Sequence, residues 1–177
     1  MIQTFRFAGF GGQGVLLMGM LLTYAGMKED KQVTWFPSYG AEMRGGTANC
    51  TVVVSDEPVA SPVAQNPDVA IVMNEPSLAK FEPLVKAGGI LFVNTSLVKS
   101  EVKRSDIKVV KIDVTGIAKE LGNTKVANMV MLGAVIAETQ SIGLNTAKDV
   151  LLDVMGESKK EFENINKQAL DKGANLI

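Results

Sequence analysis

FAGFGGQGVLLMGMLL, residues 7–22, joins a short apolar run to an uncharged segment long enough for a helix. The run Thr4 to Ala8 reads as a strand, so the order is strand, glycine turn, helix. Gly9, Gly11 and Gly14 keep the GxGxxG spacing, with Gly12 between them, which permits a tight turn and close approach of the backbone to a bound group. Such a turn aims the unpaired N–H groups of a first helical turn, and the positive end of the helix dipole, at an anion. The competing use of these glycines is to let the first helix pack tightly on the strand. A dinucleotide site would add a carboxylate at the end of the second strand. That strand, Gln32 to Phe36, runs instead into Pro37, Ser38 and Tyr39, while Glu29 and Asp30 precede it. The turn is therefore better read as a phosphate or subunit-contact loop than as an NAD site.

A chain of 177 residues suffices for one domain with a sizeable core, and a formal net charge of -1 gives no electrostatic case for nucleic acid or an anionic membrane. Histidine is absent, which removes the commonest general base and metal ligand and every triad that uses it. One cysteine, Cys50, makes neither an internal disulfide nor an iron–sulfur cluster. Phe7 to Met27 carries no charge and has the length of a membrane span, but its glycines sit at a turn position and only Arg6 precedes it as a basic flank. A cytoplasmic protein is expected.

Along the chain, Val33 to Phe36, Thr47 to Ser55, Val69 to Met73, Ile90 to Val93 and Lys108 to Val114 are β-prone. Pro76 opens a helix carrying Leu78, Phe81, Leu84 and Val85, which Pro83 kinks or breaks and Gly88 and Gly89 end. Thr115 starts a short helix that stops at Gly122. Asn128 is placed to cap Met129 to Thr139, apolar nearly all round and hence either a core helix or one partly covered by another subunit. Thr146 with Asp149, and Ser158 with Glu161, have capping-box spacing and predict two more helices. The last would turn Phe162, Ile165 and Ala169 inward and end at Gly173. Strands alternating with helices indicate an α/β domain, and the helix-free connection before Thr47 makes its largely parallel sheet a mixed one.

A second unusual loop, PSYGAEMRGG at 37–46, sets Ser38, Tyr39, Glu42 and Arg44 among Gly40, Gly45 and Gly46. Ligands of open α/β sheets bind beyond the carboxyl ends of the strands, so this loop and the Gly9 to Gly14 turn should be neighbours. Arg44 offers a planar fork for a phosphate or carboxylate, and Ser38 and Tyr39 offer hydroxyls. The alternative is a plain surface loop with an exposed Glu42 and Arg44 pair. Cys50 lies in an apolar strand and reads as an inert thiol, and Asn49 and Asn128 as ligand groups or satisfied core residues and caps. No carboxylate pair, nucleophile with base or metal-ligand cluster stands out, so these residues describe a binding module without catalytic or metal-binding side chains of its own.

GFGGQG at 9–14, FPSYGAEMRGGTANCTVVVSDEP at 36–58 and NMVMLGAV at 128–135 together resemble the gamma subunit of 2-oxoacid:ferredoxin oxidoreductases, in the same order and over essentially the whole chain. AEMRGGTAN at 41–49 is similar to the 2-oxoglutarate branch more than to the pyruvate branch, with a branched-chain (ketoisovalerate) enzyme as a further option. The resemblance implies a single gamma-subunit domain over residues 1–177, a three-layer α/β/α fold with a mostly parallel, mixed sheet and a Rossmann-like start. It implies a share in the oxidative decarboxylation of a 2-oxoacid with coenzyme A to acyl-CoA and CO2, electrons leaving to ferredoxin. Thiamine diphosphate, magnesium and iron–sulfur clusters would belong to alpha, beta and delta or ferredoxin-like partner subunits. This chain would help shape the entry of coenzyme A, its phosphates meeting the turn Gly9, Gly11, Gly12, Gln13 and Gly14 and the facing Ser38, Tyr39, Glu42 and Arg44. The competing expectations are a free-standing nucleotide-binding oxidoreductase and a ligand-sensing module.

Overall fold

Every other residue of the first strand is apolar on one side, which gives a sheet with two dissimilar faces. The computed structural model describes residues 1–38 and 47–177. In β1 (Ile2–Phe10), Phe5 and Phe7 are buried on one face, whereas Arg6 and Ala8 point to the other. With β2 (Gln32–Ser38), β3 (Thr47–Ser55), β4 (Val69–Val72), β5 (Ile90–Asn94) and β6 (Lys108–Ile112) it forms a six-stranded sheet of order β2-β3-β1-β4-β5-β6. The four strands β1, β4, β5 and β6 are parallel, and β3 runs antiparallel to β1 and β2. The expected mixed sheet is thus present, β3 being the inverted strand.

Helices α1 (Val15–Lys28), α3 (Val114–Glu120) and α4 (Ala127–Thr139) enclose the larger core with Phe5, Phe7, Ile71 and Phe92. On the opposite face α2 (Glu75–Phe81) lays Leu78 and Phe81 over Ala70, Val72, Leu91 and Val93, completing three layers. The short helices α5 (Leu144–Asp149) and α6 (Leu151–Met155) lead to α7 (Glu163–Ala174), which packs on α4. There the backbones nearly touch: a Cβ added at Gly133 or Gly173 would lie inside 3.0 Å of the Leu170 or Val130 carbonyl oxygen.

Several expected boundaries move, each for a tertiary reason. The second strand continues through Pro37 to Ser38, because it lies at the sheet edge where a missing N–H breaks no ladder bond. The last strand stops at Ile112, since Asp113 caps α3 by accepting the Gly116 N–H at 3.0 Å. Asn128 is not the cap of α4: that helix begins at Ala127, and the Asn128 amide turns toward the Gly14 carbonyl at 3.4 Å. Thr146 is inside α5, whose start at Gly143 is fixed by the Glu29 carboxylate accepting the Gly143 N–H at 2.7 Å. Ser158 falls in a 3-10 turn, Glu157–Phe162, and α7 starts after it. Gly173 does not end α7. It is buried within that helix, on the face formed with Asn166, Ala169 and Leu170, while Phe162 is exposed and Ile165 only half-buried. Pro83 does break its helix, α2 giving way to a 3-10 turn at Glu82.

Candidate functional site

The chain leaves β1 for α1 on one face and leaves β4 for α2 on the other, so a crevice opens between the carboxyl ends of these neighbouring parallel strands. Its first wall is the glycine turn. Gly12 has φ 94°, and a Cβ there would meet nothing within 4 Å among the described residues. Gly14, at φ 72° and ψ 25°, is the N-cap of α1, which no side chain of the described residues caps. Because the first bond of the helix is Met18 N–H to the Gly14 carbonyl, at 3.0 Å, the N–H groups of Val15, Leu16 and Leu17 precede the ladder. Among the described residues these donors have no side-chain partner, and the positive end of the helix dipole lies beside an exposed turn.

One carbonyl holds the crevice together. Met73, just after β4, donates its own N–H to Ala8 at 2.9 Å, and its oxygen accepts the Gln13 side-chain amide at 3.1 Å and the Asn94 amide at 3.2 Å. The ends of β1, β4 and β5 are therefore tied at a single atom. Gln13 also accepts the Phe10 N–H at 2.6 Å, closing the turn on itself. Beside this knot is a cleft of about 270 Å³ lined by Gly12, Gln13, Met73, Asn94, Lys125 and Asn128, among others, none of the described lining residues being acidic. Lys125 is exposed there and forms no ion pair among the described residues. On the far side of the turn is a more apolar depression of about 310 Å³, bounded by Phe10, Gly11, Gly12, Leu16, Leu17 and Ala48.

The residues singled out from sequence divide by role. Gly11 and Gly12 are exposed at the crevice. Gly9 is buried within β1, where a Cβ would come within 3.0 Å of Gln13, Met73 and Val15. Gln13 spends its amide on the scaffold, and Gly14 caps α1. Ser38 is exposed at the end of β2, opposite Asn49. Tyr39, Glu42 and Arg44 lie outside the described residues. Their flanks, Ser38 and Thr47, stand at the same sheet edge as the glycine turn, Thr47 directly opposite Phe10.

Asn49 is a scaffold residue whose side-chain oxygen accepts the Arg6 guanidinium at 3.0 Å, and Arg6 also donates to the Ala64 carbonyl at 2.8 Å. Burial lowers the Arg6 pKa, the guanidinium resting 5.4 Å from the Phe81 ring centroid. The Cys50 thiol is pushed up to about 12 by burial, which outweighs the nearby Trp35 N–H and Arg6 charge. It faces the Val15 carbonyl at 3.7 Å and is a packing residue. Asn94, Met73 and Lys125 were not foreseen, and Asn74, the cap of α2, accepts the Ser77 N–H at 3.0 Å. An Asn ahead of Pro76 in the first helical turn was the available signal for that cap. A separate cleft of about 390 Å³ under α2 has its acids committed: Glu82 accepts the Lys103 and Arg104 N–H groups at 2.5 and 2.9 Å. Among the described residues no three His, Cys, Asp or Glu side chains cluster as a metal site requires.

The fold is a mixed α/β sheet with a glycine-led helix N-terminus beyond the carboxyl ends of its parallel strands, the place where open α/β sheets receive ligands. Residues 4–176 match the family model for pyruvate ferredoxin/flavodoxin oxidoreductase, and the chain belongs to that family. It is 42% identical over 132 residues to the ketoisovalerate oxidoreductase subunit VorA of Methanothermobacter marburgensis, covering 75% of this chain but only 27% of that protein. The chain thus spans about a quarter of that longer relative. Against the 2-oxoglutarate synthase subunit KorC of Methanocaldococcus jannaschii the identity is 34% over 164 residues, covering 91% and 88% of the two chains. Among solved structures, the 2-oxoglutarate:ferredoxin oxidoreductase of Magnetococcus marinus, with 2-oxoglutarate, coenzyme A and succinyl-CoA bound, superposes with TM-score 0.88 at 27% identity. That match takes in 99% of this chain and 31% of the other. Among the described residues no helix is long and apolar enough to cross a membrane.

Proposed function

We propose that this chain is the single-domain gamma subunit of a cytoplasmic 2-oxoacid:ferredoxin oxidoreductase, of the 2-oxoglutarate type before the pyruvate or ketoisovalerate types. The carrying observation is the family match over residues 4–176 together with near full-length similarity to a 2-oxoglutarate synthase subunit. Thiamine diphosphate, magnesium and the iron–sulfur clusters then reside on alpha, beta and delta-type partners, and ferredoxin takes the electrons. The isolated chain is inactive.

Its contribution is to shape the place where coenzyme A is received, the acyl acceptor of the overall reaction. The crevice suits an anionic group: among the described residues Gly12 leaves open space, no side chain caps the N-terminus of α1, and Lys125 stands on the wall of a cleft without acidic lining. Gly11, Gly12 and the N–H groups ahead of Met18 hold the phosphate. Gln13, Gly9 and Gly14 keep the turn in shape. Ser38 at the end of β2, with Tyr39, Glu42 and Arg44 that follow it in the sequence, supplies the remaining contacts, Arg44 as the ion-pairing fork. In the assembled enzyme, Arg44→Ala raises the apparent KM for coenzyme A while the subunits still copurify; an unchanged KM removes Arg44 from the site.

A further inference from the structure

Two of the longer described helices are almost free of charge. One of them, α4, is covered by the chain itself, every residue from Asn128 to Ile136 being buried. The other, α1, has no charged residue before Lys28, yet only its inner face is covered. Its outward positions are Leu16, Leu17, Met20, Thr23, Tyr24 and Met27, half-buried or exposed, with Tyr24 at 41% and Met27 at 58%. The stripe is about 16 Å long at the helical rise, and at its N-terminal end it runs into the apolar depression beside Phe10. Solvent-facing helices of this protein are otherwise made differently: α7 carries Glu163, Lys167, Asp171 and Lys172. A helix apolar all round belongs in an interior.

We infer that the outer face of α1 is the surface on which this chain seats its main partner subunit, a chain equivalent to the remainder of the longer relatives. The inference rests on the gamma-subunit reading above. What identifies the occupant is length. VorA and the Magnetococcus enzyme carry a unit like this one as 27% and 31% of a longer polypeptide, so there the rest of the protein is covalently attached to it. Where the unit is a separate chain, the same association must be made by surface alone, and an uncharged helix face is the surface suited to it. The partner accordingly presents an apolar surface, with the ion pair of Lys28 and Asp149, at 3.4 Å, on the polar rim.

The test uses the complex formed by coexpressing this chain with the chain homologous to the rest of VorA. Met20→Glu and Tyr24→Glu, singly and together, should weaken capture of that partner by at least about 30-fold, the scale of a hot-spot residue. The isolated variants should keep the thermal midpoint of the parent chain, since neither side chain belongs to the core clusters. Tyr24→Phe should assemble normally. Folded variants that assemble with unchanged affinity overturn the assignment of the surface and leave the subunit reading standing. A parent chain that is a stable dimer alone, broken by the same substitutions, overturns it in favour of a second copy. A parent chain that captures no such partner removes the subunit reading itself, and the surface with it.

Discussion

Alanine at position 14 would place a methyl group where the Asn128 amide already lies. Two costs follow. Gly14 sits at φ 72°, where an L-residue is disfavoured by about 1 kcal/mol. The new Cβ would also come within 3.0 Å of the Asn128 amide nitrogen and at 3.0 Å from its amide carbon, an overpacking cost of about 1–3 kcal/mol. Gly14→Ala should therefore destabilise by about 2–4 kcal/mol, several degrees in Tm for a chain of this length. Asn128→Ala alone loses a long hydrogen bond to the Gly14 carbonyl, 3.4 Å, and the acceptor of the Met129 N–H, 3.0 Å, together about 1 kcal/mol. In the double variant the amide is gone, and the Asn128 Cβ is an ordinary 3.6 Å from the position of the new methyl. Only the backbone cost and the lost hydrogen bonds remain, about 2 kcal/mol. Urea titrations of the four proteins, followed by circular dichroism at one pH, give the cycle. Single costs that add within about 0.5 kcal/mol would refute the contact between turn and α4.

Gly173→Ala separates helix propensity from packing. Propensity alone predicts about 1 kcal/mol of stabilisation, whereas crowding against the Val130 carbonyl predicts a net loss of about 1–2 kcal/mol; a raised Tm would contradict the close packing of α4 on α7. Cys50 should resist alkylation at pH 8 in the native chain and react once urea unfolds it; rapid native labelling would contradict its burial. Its folded pKa of about 12 exceeds the ordinary 9.0, so the neutral thiol contributes stability that is fully present below pH 9 and is lost as the pH rises toward 12. The alkaline loss of stability should accordingly be smaller in Cys50→Ala than in the parent; equal losses would exclude the thiol as a source.

The strands and the glycine turn were legible because they rest on local patterns: apolar runs in β1 and β4, a β-branched run in β3, and a GxGxxG between strand and helix. Caps were less so. The spacing of Thr146 and Asp149 obeys a local rule, yet the start of α5 is set by Glu29, which is remote in sequence. Gly173 has the look of a helix stop, but a glycine near a helix end serves equally where another backbone comes close, and only the position of α4 decides between them. The sequence placed the turn and the edge of the hairpin connection at one end of the sheet. It did not reveal the knot at the Met73 carbonyl, because a backbone oxygen has no residue signature and its donors, Gln13 and Asn94, come from loops far apart in the chain. The uncharged outer face of α1 was visible as composition. Which side of that helix the chain covers became clear only from the fold.

The most direct measurement is 2-oxoacid- and coenzyme A-dependent dye reduction by this chain alone, by its partner chains without it, and by the assembled complex, with 2-oxoglutarate, pyruvate and 2-ketoisovalerate in turn. Activity confined to the complex, and highest with 2-oxoglutarate, is the predicted result. Turnover by the isolated chain, or full turnover by the partner chains in its absence, would contradict the account.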